Sequence, residues 1–163
     1  MTRPKTGERI PRDPHPGSVL EKAWIPLAAL ALALTPLAVV RPVRVEGHSM
    51  EPNLRSGELR WILRTWASHP PRRGEVWVVA RPGGDCIKRV LGLPGETVAW
   101  DGPDLRVDGR TLDEPWVVHP EPSGQGQTSD GDGYLVLGDN RPESRDGRAW
   151  GPLPTQALRG RVL

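Results

Sequence analysis

Phenylalanine is absent from this 163-residue chain, tyrosine and cysteine occur once each, and only three of the 22 basic residues are lysine. The single cysteine, Cys86, excludes an internal disulfide and leaves the redox compartment open. The four histidines (His15, His48, His69, His119) stand in proline-rich or loop settings. No Cys/His spacing suits a zinc site, and no glycine-rich loop matches a phosphate cradle, so no cofactor or metal is expected. The formal charge is +2, with no basic run interleaved with aromatics, which gives no reason to expect a nucleic-acid partner.

The shortage of lysine is itself informative. Arginine is locked in its charged form, whereas lysine gives up its proton when buried. Beyond the N-terminal 40 residues only Lys88 remains. Either the position needs a lysine, or a compositional bias toward arginine left one survivor.

Glycine and proline, by contrast, number 19 each, and such frequent turns suit many short strands better than a helical bundle. The length suits one domain of ordinary size. Residues 1–22 are polar and proline-rich and are expected to be disordered. Residues 23–40 (AWIPLAALALALTPLAVV) carry no charge between Lys22 and Arg41. At about 1.5 Å per residue this run reaches roughly 27 Å, close to the hydrocarbon thickness of a bilayer, and reads as one transmembrane anchor. A cleaved leader ending at Ala31-Leu32-Ala33 and a buried soluble helix are the alternatives. The apolar run continues seven residues past the first, and all-round hydrophobicity does not suit the second. Flanking charges do not orient the segment: Arg9, Arg12 and Lys22 oppose Arg41, Arg44 and Arg55.

Residues 41–163 read as one mainly β domain. Gly57-Glu58 precedes LRWILRTW, Arg73-Gly74-Glu75 precedes VWVVARP, and Asp85 precedes CIKRVLGL. LRV-Asp108-Gly109-RTL predicts a hairpin with a type I′ turn, and Tyr134 to Leu137 a last strand. Residues 120–133 (PEPSGQGQTSDGDG) read as an exposed flexible loop. Trp61, Trp66 and Trp77 are expected in the core, with an interfacial patch as the alternative.

Three segments can carry chemistry. Ser49 lies between Gly47 and Pro52, in a tight turn that can expose both its hydroxyl and its backbone N–H. In a strand, Cys86, Lys88 and Val90 share one face, where desolvation disfavours the ammonium. A neutral lysine there can take a proton from a serine, as in Ser–Lys variants of the catalytic triad. Residues 138–154 (GDNRPESRDGRAWGPLP) are dense in Asp, Asn, Ser and Arg, and Asp146 with Arg148 can form a buried clamp. Taken singly, each has an ordinary reading as a polar loop, a solvent-reaching strand lysine or a solvated loop. His48 is adjacent to Ser49 and its side chain is expected to point away, as a surface or supporting residue.

Together the segments resemble the type I signal peptidases, or leader peptidases. The resemblance lies in Gly47-His48-Ser49-Met50-Glu51-Pro52-Asn53-Leu54 and in Ile87-Lys88-Arg89-Val90-Leu91-Gly92-Leu93-Pro94-Gly95-Glu96. It continues in Gly138-Asp139-Asn140-Arg141 followed by Ser144, Asp146, Arg148, Trp150 and Gly151. Weaker similarity covers residues 73–76 and 108–115.

The resemblance implies a β-rich serine endopeptidase on the outer face of the bacterial cytoplasmic membrane. It would be single-pass, with residues 1–22 cytoplasmic, and its partners would be the lipid bilayer and signal-peptide-bearing preproteins cut after a small-x-small site. It also implies Ser49 as nucleophile, Lys88 as general base and Ser144 hydrogen-bonded to the Lys88 amine. Asp146 and Arg148 would brace the site, Asp139 would pair with Arg89, and Gly47, Met50 and Pro52 would border the oxyanion and substrate cleft. Where some members carry Ser or Thr, Gly47 stands here, which leaves the second oxyanion donor open. Asn53 replaces the commoner Thr and Gly147 the commoner Ser. A self-cleaving repressor with the same dyad and an inactive membrane-tethered scaffold are the rival readings. Residues 1–22 are too short for the repressor's DNA-binding domain, and keeping both Ser49 and Lys88 argues against the scaffold.

Overall fold

Alternating apolar residues and abundant turns produce two antiparallel sheets. The structure is a computed structural model that describes residues 24–81, 83–118, 124–128 and 131–163. Residues 1–22, and 120–123 and 129–130 of the expected loop, lie outside the described residues.

The apolar run forms helix α1 (Trp24–Val39), 16 residues long, and the side chains of residues 24–33 are all exposed. Among the described residues no helix is long and apolar enough to cross a membrane. The helix ends one residue before the end of the expected 23–40 span because Val40 already belongs to strand β1 (Val40–Arg44). That strand was not predicted; its Pro42 is tolerated because β1 lies at a sheet edge.

A second unit, Leu37–Leu163, holds the strands. They are β2 (Leu59–Arg64), β3 (Val76–Arg81), β4 (Gly84–Gly92), β5 (Val98–Asp101), β6 (Asp104–Val107), β7 (Arg110–Thr111), β8 (Gln125–Thr128), β9 (Leu135–Leu137) and β10 (Leu158–Val162). The larger sheet has the order β1-β2-β10-β3-β4-β9 and the smaller β7-β6-β5-β8. The β6–β7 hairpin turns on Asp108 (φ +50°) and Gly109 (φ +77°), the paired positive angles of the expected type I′ turn.

The C-terminal part of β4 (Val90 and Leu91) and strand β9 are apolar on both faces because both faces are covered. Val90 and Val136 join Trp77, Val79, Tyr134 and Leu158 in one cluster. Leu91, Leu135 and Leu137 meet Val98, Leu105 and Val107 of the smaller sheet in another. One expectation is corrected within 120–133: residues 125–128 are strand β8, paired with β5 from Val98↔Thr128 to Asp101↔Gln125. Another concerns the tryptophans. Trp77 is fully buried, whereas Trp61 and Trp66 are exposed.

Candidate active site

Gly47 has φ +80°, a left-handed conformation that side-chain-bearing residues adopt only under strain. It reverses the chain after Val45 so that residues 48–54 form a tight double turn. The Glu51 N–H donates to the His48 carbonyl at 3.1 Å, and the Leu54 N–H to the Met50 carbonyl at 2.9 Å. The turn is pinned from below by Met50, which packs with Val45 and Leu54 against Val76, Ile87 and Val162. Met50 is therefore a core residue, not a cleft residue as expected. Its apolar side chain gains more from burial there than at the polar rim.

The turn is held from the side by a residue that sequence reasoning did not single out. The Asn140 N–H donates to the Ser49 carbonyl at 3.0 Å, and Asn140 Nδ2 donates to the His48 carbonyl at 3.1 Å. The Ser49 N–H, by contrast, donates to no acceptor among the described residues.

Strand β4 delivers Lys88 from the opposite side. Lys88 pairs in register with the fully buried Trp77 and is itself only 3% exposed. Its Nζ lies 2.5 Å from Ser49 Oγ. Burial pushes the Lys88 pKa below the ordinary 10.5; the neighbouring Cys86, Asp146 and Asp139 oppose that shift, while Arg81 adds to it. A buried, desolvated amine in contact with a serine hydroxyl is the arrangement that lets a lysine accept its proton.

Within residues 138–148 the charged Asp139, Arg141 and Asp146 are buried because each is paired, while Pro142, Glu143 and Arg145 stay exposed. Asp146 (1% exposed) takes Arg148 Nε at 2.9 Å and Nη2 at 3.0 Å, and accepts the Gly138 N–H at 2.9 Å. It also caps the short helix α2 (Gly147–Trp150) by accepting the Arg148 N–H. Arg148 Nη2 reaches the carbonyls of Arg141 (2.8 Å) and Ser144 (3.1 Å), so one guanidinium ties three points of the loop together. Asp139 accepts Arg89 Nε at 2.8 Å, Arg89 Nη2 at 2.6 Å and Asn53 Nδ2 at 2.9 Å. The Arg89 guanidinium also donates to the Gly74 carbonyl and lies 4.7 Å from the Trp116 ring centre. Arg141 pairs with Glu114 in a further buried ion pair. Asn140, Arg141, Glu114 and Trp116 thus complete a support that the sequence reading only partly named. The Gly138-to-Arg141 string was the signal for the first two, and Glu114 lies within the weaker similarity at 108–115 without a role having been read for it; no local signal marked Trp116.

Ser144 departs from expectation. Its Oγ is buried and makes no hydrogen bond among the described residues, so the bond to the Lys88 amine is not formed. The loop holds Ser144 by its carbonyl, through Arg148, and turns the hydroxyl toward Gly138. A Cβ at Gly138 would run into the Ser144 side chain and come within 2.5 Å of the Ser49 carbonyl. Glycine is needed there for this close approach.

Ser49 and Lys88 open into a cleft of about 440 Å³. Val43, Val78 and Ile87 supply its apolar wall; Arg44, Glu46, Arg81, Asp85, Glu143 and Arg145 supply charge. Gly47 lines it, but Pro52 borders a separate hollow with Val118, Asp139 and Asn140, because the turn directs residues 51–52 away from Ser49. His48 is exposed and bonded through Nδ1 to Glu51 at 2.9 Å, which raises the His48 pKa and lowers that of Glu51. Among the described residues no three His, Cys, Asp or Glu side chains converge as a metal site would require.

Residues 19–163 match the family described as "Signal peptidase, peptidase S26". A probable signal peptidase I-1 from Synechocystis is 33% identical over 157 residues, covering 87% of this chain and 80% of that protein. Signal peptidase IB from Staphylococcus aureus is 30% identical over 163 residues, covering 85% of each. A crystal structure of a signal peptidase I from Enterococcus faecalis is 30% identical, covering 58% of this chain and 97% of that one, with a TM-score of 0.49. On the family match and on relatives similar over most of both chains, this chain belongs to the signal peptidase family, peptidase S26.

Proposed function

We propose that this chain removes N-terminal signal peptides from exported preproteins, with Ser49 as nucleophile and Lys88 as general base. The observation that carries the reading is the 2.5 Å approach of a buried Lys88 Nζ to Ser49 Oγ. The neutral amine takes the hydroxyl proton as Ser49 Oγ bonds to the scissile carbonyl carbon, and the carbonyl oxygen becomes an oxyanion. The free Ser49 N–H is one donor for that oxyanion. The lysine ammonium then gives its proton to the departing amine, leaving an acyl-serine. Water repeats the sequence in reverse order and regenerates both groups.

Asp139–Arg89 and Asp146–Arg148 are positioning pairs. They hold the loop whose Asn140 fixes the carbonyl behind Ser49. The apolar wall of Val43, Val78 and Ile87 suits the small side chains of a small-x-small site. Segment 23–40 is the membrane anchor, with the β domain on the outer face of the bacterial cytoplasmic membrane. The exposure of Trp24, Ile25, Leu27, Leu30 and Leu32, all at least half accessible on a charge-free helix, supports burial in lipid.

Ser49→Ala and Lys88→Ala in the detergent-solubilised full chain are each expected to lower cleavage of an Ala-x-Ala preprotein by about 10⁴-fold or more, with circular dichroism unchanged. Cleavage near the wild-type rate by either variant rejects the dyad.

A further inference from the structure

Six arginines of the β domain are paired with carboxylates: Arg60, Arg73, Arg89, Arg141, Arg148 and Arg161. Of the other arginines in the domain, three converge in one place. Arg41, Arg64 and Arg159 line one hollow of about 550 Å³ with Trp66, Thr155 and Gln156, and none of the lining residues is acidic. Among the described residues none of the three guanidiniums has a carboxylate partner.

The sheet register explains why they meet. Strand β1 starts beside the end of β2, with Val40 opposite Leu63 and Arg41 opposite Ile62. Strand β10 starts at the same end, with Gly160 opposite Arg64. Arg41, Arg64 and Arg159 therefore mark one end of the larger sheet, the end at which the chain enters from helix α1. Only Val40 separates the last residue of that helix from Arg41. Trp66 is 68% exposed in the same hollow, an amphipathic ring of the kind that settles at a membrane–water interface.

We propose that this hollow binds the phosphate of an anionic lipid headgroup, with the three guanidiniums as its charge partners and the Trp66 ring against the glycerol region. The inference rests on the reading of residues 23–40 as a membrane anchor. A headgroup, not a soluble anion, is the occupant because the hollow combines unpaired positive charge with an exposed tryptophan, and one of its arginines, Arg41, follows an apolar helix by a single residue. The hollow is a second site, with no lining residue in common with the Ser49–Lys88 cleft.

The test uses the full chain in neutral detergent micelles doped with phosphatidylglycerol, with phosphatidylcholine, or with inorganic phosphate alone. Hydrogen exchange of segments 64–67 and 155–160 is the readout. Phosphatidylglycerol is expected to slow exchange there. The combined variant R41Q/R64Q/R159Q is expected to need about a hundredfold more phosphatidylglycerol for the same protection, roughly fivefold per arginine. Cleavage of a short peptide by that variant should be unchanged. Equal protection by phosphatidylcholine, equal protection of the variant, or saturation by inorganic phosphate at the same concentration overturns the assignment. Extraction of the chain from phosphatidylcholine vesicles at alkaline pH tests the anchor separately. Micelle binding needs no anchor, so the two failures are distinguishable.

Discussion

Two stretches of this chain have nearly the same composition and opposite fates. Residues 120–133 and residues 138–150 are both rich in Gly, Asp, Ser and Pro. The second is folded into the protein, with Asp139, Arg141 and Asp146 no more than 6% exposed. Among the described residues of the first, 125–128 form strand β8, which alternates between exposed and half-buried and adds an outer strand to the smaller sheet. The difference is arginine: residues 138–150 contain Arg141, Arg145 and Arg148, and residues 120–133 contain no basic residue. A carboxylate enters the interior only with a partner, and the guanidinium offers five donors in a fixed plane. Buried charge therefore turns a loop of turn-forming residues into a rigid wall for the serine.

Removing the clamp should break that contrast most severely. Asp146→Ala leaves Arg148 buried without its carboxylate and the Gly138 N–H without an acceptor, and should cost about 3–5 kcal/mol in chemical denaturation. Activity should fall with it, because Asn140 loses its hold on the Ser49 turn.

Ser144→Ala sharpens the comparison at one atom. Its hydroxyl is buried without a partner, so its loss should leave stability within about 1 kcal/mol of wild type. A slowed turnover with unchanged denaturation midpoint assigns Ser144 a positioning role during the reaction, and unfolding assigns it a structural one. Gln125→Ala removes one exposed hydrogen bond, to Asp101 at 2.8 Å, and should shift stability by no more than about 0.5 kcal/mol. A loss comparable to that of Asp146→Ala would show that the two loops are held alike, against the account.

The parts of the fold legible beforehand are those whose signal is local. Strands β2, β3, β4 and β9 were visible as apolar or alternating runs, and the β6–β7 turn as Asp108-Gly109. Strand β8 was not, since Gln-Gly-Gln-Thr has no apolar residue and is a strand only because β5 offers it a ladder. Strand β1 was hidden by Pro42 and two arginines. At the site, Ser49, Lys88 and the Asp139–Arg89 and Asp146–Arg148 pairs were named from the sequence. Met50 and Pro52 were misplaced because their side-chain directions depend on the turn following Gly47. Asn140 as the holder of the Ser49 carbonyl, and Glu114 as the partner of Arg141, depend on contacts between residues 27 to 92 positions apart.

The central claim is that Lys88 loses its proton below the usual lysine range while in contact with Ser49. Because the unfolded chain keeps that proton up to about pH 10.5, stability should rise with pH between the folded-state pKa and that value. Activity should rise through the same folded-state midpoint. Only three lysines are present, so NMR of lysine-labelled protein can follow Lys88 directly, with Lys88→Met identifying its signal. The account predicts a Lys88 midpoint well below 10.5 that coincides with the rising limb of kcat/KM. A Lys88 signal that titrates at the ordinary value, while cleavage is already at its maximum several pH units lower, would contradict it.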